Sequence, residues 1–319
     1  MNPRLHVGAL GRVTTLAILA VACVPGCTQA QSAAASDTTF AVARNGVIDI
    51  TMRSGRLIVR GGERATAELR SNGHDYQLRA GGVGVTIGVG AEFGRSAGRR
   101  SSSSGRSNRG DVELLVPRFV KLVVNGMSTD VGISDVAGDV EVEVLTGDVE
   151  LRALGGRAIV SSVSGDIRVT EGVGDLRVST VGGDIEARQV RGTIDVHTTS
   201  GDVTLSTERA GRVAVGTVSG TILLDGALAD EARLQFTTHS GDVILRLPAS
   251  AAGQLEVSTY NGSVSGGTLT LLPDGGDRGG QRDRQATRYQ FGGGGSARIT
   301  VSTFSGDITL SRGPRRGSE

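Results

Sequence analysis

The sequence predicts an all-β chain wound into a β-solenoid with rungs of about 18–21 residues, and three observations carry that expectation. Turn glycines recur every nine residues without a slip, at Gly138, Gly147, Gly156, Gly165, Gly174, Gly183, Gly192 and Gly201. The segments between them, such as SGDIRV, VGDLRV, GGDIEA and SGDVTL, alternate apolar and polar residues. That is the strand period, because successive side chains point to opposite faces. The turns also alternate in type. SGD-like turns fall on every second glycine, at Gly147, Gly165, Gly183, Gly201, Gly220, Gly241, Gly262 and, after an insertion, Gly306, at intervals of 18, 18, 18, 19, 21, 21 and 44. Short strands on a fixed period cannot bury their apolar face alone and must stack on their neighbours.

Each rung would hold two strands and two turns, with rungs about 4.8 Å apart. SGD turns would line one edge and looser turns, where Gly156, Gly192 and Gly211 precede Arg or Thr, the other. A meander of antiparallel hairpins also suits nine residues per strand and turn, but the strict alternation of turn type favours the coil. From about residue 136 to 310, Ile167, Val169, Ile185, Ile194, Val203, Leu205, Ile222 and Leu224 should then point inward. Glu150, Arg168, Glu186 and Thr204 should point outward.

Composition agrees with a thin aliphatic core: 50 glycines, no Trp and 3% aromatic residues. A net charge of +1 gives no electrostatic case for nucleic acid. Residues 1–27 read as an export signal. Arg4 and Arg12 precede an apolar run from Val13 to Cys23, too short to span a bilayer. Val24-Pro25-Gly26-Cys27 then looks like a bacterial lipobox, which makes Cys27 the expected lipid attachment site; Pro at −2 is unusual for one. Cleavage after Ala30 is the alternative. Either route takes the chain out of the cytoplasm, to a lipid-anchored or periplasmic place in the cell envelope. No Cys follows Cys27, so the mature chain has no disulfide or thiolate metal site.

Residues 28–39 are small and polar and read as a tether. The solenoid domain is expected over 40–312. Its first runs, NGVIDITM, GRLIVRG, ERATAELR, YQLRA and GVTIGV, are irregularly spaced and would form either opening rungs or a β cap. Two low-complexity inserts interrupt it, at 94–110 (Ser, Gly and Arg) and 273–297. Residues 313–319 form a polar tail.

VELLVPRFVKLVV, followed by repeated SGD[IV]x[VL] units, resembles the bacterial "putative adhesin" domain of β-strand-repeat envelope proteins of unknown function. The resemblance covers residues 40–310 and is densest from Asp111 to Leu247. It implies export or membrane attachment and a right-handed β-solenoid, and it offers no catalytic motif to carry over.

In the coil, Asp148, Asp166, Asp184 and Asp202 fall in one column. Carboxylates about 4.8 Å apart repel by roughly 1 kcal/mol even in water, so something must offset the repulsion. One reading is turn capping, each carboxylate accepting N–H groups of its own turn. The other is a cation column, for which Ca²⁺ is the candidate. The GGxGxDxUx pattern of calcium rolls is absent, and one Asp per repeat leaves the shell short. No other cofactor and no metal site is expected.

A second column, Leu145, Val163, Val181, Thr199, Val218, His239, Tyr260 and Phe304, turns aromatic toward the C-terminus. It would either fill a widened interior or form an exposed aromatic strip for glycan or partner contact, since ring faces suit sugars. Glu141, Glu143, Glu150, Glu186 and Asp195 could supply the carboxylate pair of a polysaccharide-active enzyme, the alternative function. No catalytic residue stands out, and the expected function is a non-catalytic envelope structural or adhesion module. Its partner would be an envelope protein or a polysaccharide, with membrane contact through the lipid anchor.

Overall fold

A computed structural model describes residues 31–33, 38–43, 46–72, 76–81, 84–89, 111–266, 272–273, 287–293 and 295–313. Cys27, the signal segment and the insert 94–110 lie outside the described residues. So does most of the second insert.

The described residues are all-β, with no helix among them. The central pairing is parallel and in strict register, which decides against the hairpin meander. On one face, Val140–Thr146, Ala158–Ser164, Leu176–Gly182 and Thr193–Ser200 lie side by side. On the other, Val149–Leu154 pairs with Ile167–Gly172, which pairs with Ile185–Arg188. The long strands Val203–Ser219 and Ile222–Ser240 lend one half to each face. Every step along the stack returns the same position one repeat later: Val149, Ile167, Ile185, Val203, Ile222, Val243 and Ile308 form one continuous column.

All seven members of that column are buried, and so are Val169, Ile194, Leu205 and Leu224. Each lies on the inward side of the alternation, where burying a Val, Ile or Leu side chain is worth about 1.5–3 kcal/mol. Glu150 and Arg168 are exposed, while Glu186 and Thr204 are only half-covered.

The glycine column sets the turns. Gly147, Gly165, Gly183, Gly201, Gly220, Gly241 and Gly306 all have φ between +129° and +155°. Each also sits against the rung before it. A Cβ on Gly183, for example, would lie 2.1 Å from the Gly165 carbonyl oxygen.

The rungs do not stack in chain order at either end. The expected succession Gly241, Gly262, Gly306 is corrected. Ala297–Ser305 lies between Ile222–Ser240 and Gly253–Asn261, in register with both through Leu234, Ile299 and Leu255. Ile308–Arg312 likewise pairs with Val243–Leu247 on one side and Val264–Ser265 on the other. The rung latest in sequence is therefore enclosed by two earlier ones. At the other end Val47–Gly62 lies between Lys121–Ser134 and the pair Gly84–Val89 and Asp111–Pro117.

Antiparallel strands cover both ends. NGVIDITM and GRLIVRG form one rung and GVTIGV belongs to another, while ERATAELR and YQLRA contribute cap strands Thr66–Asn72 and Tyr76–Gly81. The tether reading of 28–39 is corrected in part. Gln31–Ala33 and Thr38–Ala41 pair onto those cap strands. The second insert also contributes structure, since Thr287–Phe291 runs antiparallel along Gly253–Asn261. Such strands occupy backbone groups that an open end would offer to another chain. Phe291 is fully buried at this end, beside Gly253, whose missing side chain makes room for its ring.

Candidate functional site

The SGD edge carries two parallel ladders. In the first, Asp148, Asp166, Asp184 and Asp202 stand in register, preceded by Asp130 and followed, after Thr221, by Asp242 and Asp307. The carboxylates do not cap their own turns, so that expectation is corrected: each reaches to the next rung. The Oδ1 of Asp148 accepts the N–H of Asp166 at 2.9 Å, that of Asp166 the N–H of Asp184 at 3.1 Å, and that of Asp184 the N–H of Asp202 at 2.9 Å. Asp202 closes the run on the Thr221 N–H at 2.7 Å. The main-chain ladder explains the direction. The N–H groups of Gly147 and Val149 both point toward the following rung, to the carbonyls of Ser164 and Asp166. The Asp148 N–H between them points the opposite way, to the Asp130 carboxylate at 3.2 Å.

Hydrogen bonds to a charged acceptor offset the like-charge repulsion along the column. Asp307 shows the effect at the end of the ladder. The Ser263 N–H and hydroxyl both donate to its Oδ1, at 2.9 and 2.8 Å, and hold its carboxyl below the ordinary value of 3.8. A lowered folded-state pKa means that this contribution is complete above the unfolded pKa and is lost as pH falls through the folded one. Because an amide oxygen can accept the same bond, Asp184→Asn is expected to change stability by less than about 0.5 kcal/mol. Asp184→Ala should cost more, and thermal unfolding of the three proteins checks the ranking.

The second ladder is apolar and faces solvent. Met127 heads the column, followed by Leu145, Val163, Val181, Thr199, Val218, His239, Phe304 and Tyr260 in stacking order. Its apolar and aromatic members Met127, Leu145, Val163, Val181, Val218, Phe304 and Tyr260 are 46–65% exposed. The expectation that they fill a widened interior is corrected. Phe236, on the inward side of the same strand as His239, occupies the core instead. The central ring offers no free face to a sugar. Phe304 is sandwiched between His239 and Tyr260, with centroids 4.9 and 5.0 Å apart and planes within 8° of parallel. Near the other end of the ladder an open groove of about 530 Å³ is lined by Met52, Met127, Glu143, Leu145, Ser161 and Val163.

Beside the apolar ladder, on the inward side of the strands and missed by the sequence reading, lies a polar column: Ser162, Thr180, Thr198, Thr217, Thr238 and Thr303, all buried, and the half-buried Thr259. The Thr180, Thr198 and Thr217 hydroxyls donate to the carbonyls of Gly182, Ser200 and Ser219, at 3.1–3.4 Å. The signal was present, a Ser or Thr three residues before each SGD-edge glycine from Gly165 onward. Its alternation with apolar residues disguised it as an ordinary strand position.

The carboxylates that an enzyme would use are divided between the two faces. Glu141, Glu143 and Asp195 lie on one, Glu150 and Glu186 on the other. Glu141 is 3.3 Å from the Lys121 ammonium, Glu150 meets Arg152 at 2.8 Å, Glu186 bonds Arg188, and Asp195 contacts Arg177 and His197. No group of three or more His, Cys, Asp or Glu suited to a metal ion is found among the described residues.

The Toastrack DUF4097 family model matches residues 101–209 and 172–311, which together span more than half of the chain. The chain belongs to the Toastrack DUF4097 family. This is an adhesin-like family of unknown function, in line with the resemblance carried by the SGD repeats. The two matches overlap over 172–209. A solved structure to which the chain is similar is that of a "putative cell adhesion protein" from Clostridium sporogenes ATCC 15579. It is 10% identical, the match covers 88% of this chain and 100% of that one, and the TM-score is 0.22. No curated protein matches the sequence.

Proposed function

We propose that this Toastrack protein is an exported, non-catalytic module of the cell envelope, built as a right-handed β-solenoid and acting by adhesion or interaction. The observation that supports this reading best is the exposed apolar ladder, with an apolar or aromatic side chain exposed on seven of nine successive rungs and adjacent ones from Met127 to Val181. Single exposed apolar residues are ordinary, but a contiguous run of them marks a contact surface. Covering each half-exposed side chain is worth roughly 1 kcal/mol, enough in sum to hold a partner. The carboxylates are divided between two faces, and four of the five are ion-paired, which speaks against a polysaccharide-cleaving centre that needs two carboxyl groups flanking one bond. The rung-to-rung hydrogen bonds of the Asp ladder favour structure over Ca²⁺, because one oxygen of each carboxylate is already engaged.

The contact surface is tested by capture of envelope components on the mature chain, with Val163→Arg/Val181→Arg as the comparison. Both positions are exposed, so the double variant should fold normally and lose the captured partner; undiminished capture would remove the ladder from the reading. Attachment to the membrane rests on Val24-Pro25-Gly26-Cys27. Cys27→Ala should shift the protein from the membrane to the soluble extracytoplasmic fraction, and an unchanged partition would leave ordinary secretion.

A further inference from the structure

The two ladders together say what kind of partner fits, if the apolar ladder is the contact surface proposed above. We infer that the SGD edge receives a basic amphipathic helix of a partner protein, lying along the solenoid axis. From each of nine rungs the edge presents four consecutive residues, Met127 to Asp130 in the first and Tyr260 to Ser263 in the last. These segments contain seven carboxylates and neither Lys nor Arg. Cations border the edge at Arg168, 3.6 Å from the second oxygen of Asp166, and on the rung before the first, where Arg53 and Arg56 are in register with Met127 and Asp130. The far flank of the apolar ladder adds Glu143, Ser161, Ser179 and His197, so it holds no compensating row of positive charge. An apolar strip bordered by a mainly negative row is complementary to an apolar strip bordered by positive charge.

Spacing selects the helix. Rungs repeat every 4.8 Å or so. A helix repeats every 5.4 Å, whereas same-face residues of an extended strand are about 6.7 Å apart. Nine rungs extend about 38 Å, the length of a helix of about 25 residues. The other occupants are disfavoured by charge. A second copy laid antiparallel would set one acidic ladder against the other. Laid parallel, it would set the acidic ladder against a flank of Ser, Glu and His. An anionic lipid surface would be repelled.

The test uses the mature chain and two synthetic helices of about 25 residues. Both carry the same Leu face; one is flanked by Lys, the other by Glu. The Lys helix should bind, with affinity falling about tenfold or more between low and high salt, and the Glu helix should not. Binding should weaken at least about fivefold in Asp184→Asn/Asp202→Asn, which keeps the inter-rung hydrogen bonds. It should weaken similarly in Val163→Ser/Val181→Ser. Equal binding of the Glu helix would overturn the inference, and so would Lys-helix binding indifferent to the Val substitutions, since that is mere attraction to a polyanion. A dimer of the mature chain that is lost in Val163→Ser/Val181→Ser would assign the ladder to a second copy. If Val163→Arg/Val181→Arg abolishes capture of an envelope partner but the Lys helix fails to bind, the contact surface stands and the cationic helix falls.

Discussion

Gly183→Ala should destabilise the protein by about 3 kcal/mol or more, because two independent penalties meet at one methyl group. The φ of +131° is a conformation that an L-residue adopts only under strain. The added Cβ would also stand 2.1 Å from the Gly165 carbonyl oxygen, about half of an ordinary contact distance. Relief requires the rungs to separate, and that breaks the parallel hydrogen bonds on either side. Gly211→Ala is the built-in control. It lies at the opposite edge, with nothing within 4 Å of an added Cβ and no positive φ. There the substitution should be neutral or stabilise by about 0.5 kcal/mol, by restricting the unfolded chain. Chemical denaturation of both variants reads the contrast directly. Similar midpoints would mean that the glycine column does not set the turns.

Ile185→Asp is expected to cost about 4 kcal/mol or more at neutral pH. Ile185 is fully buried between Ile167 and Val203 in an all-aliphatic column. The substitution removes that burial and places a carboxyl group where nothing can accept or donate a hydrogen bond. The buried group would resist ionisation, so its folded-state pKa would lie above the unfolded one. The destabilisation should therefore be smallest below about pH 4, where both states are protonated, and grow as pH rises through the unfolded pKa. A pH-independent loss would mean that water reaches the site. Glu186→Ala, one residue along and partly exposed, should stay within about 0.5 kcal/mol despite losing its Arg partners, as surface ion pairs usually do.

These effects follow from features that local sequence makes visible: positive-φ glycines, a period of two, and a period of 18. The inward column and the parallel register were legible for that reason. The order of the last rungs was not. The turns at Gly241 and Gly306 share Ser-Gly-Asp, so either could follow the other; the outermost turn, at Gly262, is set apart by Asn261 and Ser263, by the covering strand Thr287–Phe291 and by the buried Phe291. The outward direction of Leu145, Val163 and Val181 was legible only in part. Strand alternation already places them opposite Val144, Ser162 and Thr180. A run of apolar residues nevertheless suggests a core until Phe236 is seen to occupy it. The Asp acceptors were misassigned because capping rules describe a single turn, whereas here the neighbouring rung supplies the N–H group.

The enclosed final rung has a mechanical consequence. A coil stacked in simple chain order can be peeled from its end, each rung releasing a single interface. Here a pull on the C-terminus first loads Ile308–Arg312, which is hydrogen-bonded to Val243–Leu247 on one side and Val264–Ser265 on the other. Leu310–Arg312 is held by Val243–Leu247 alone, but at Ile308 and Thr309, and along Arg298–Ser305, two interfaces must shear together. These last rungs are fastened like a strap tucked under its own loop, and they would resist unravelling under tension in a way that strands so short would not alone.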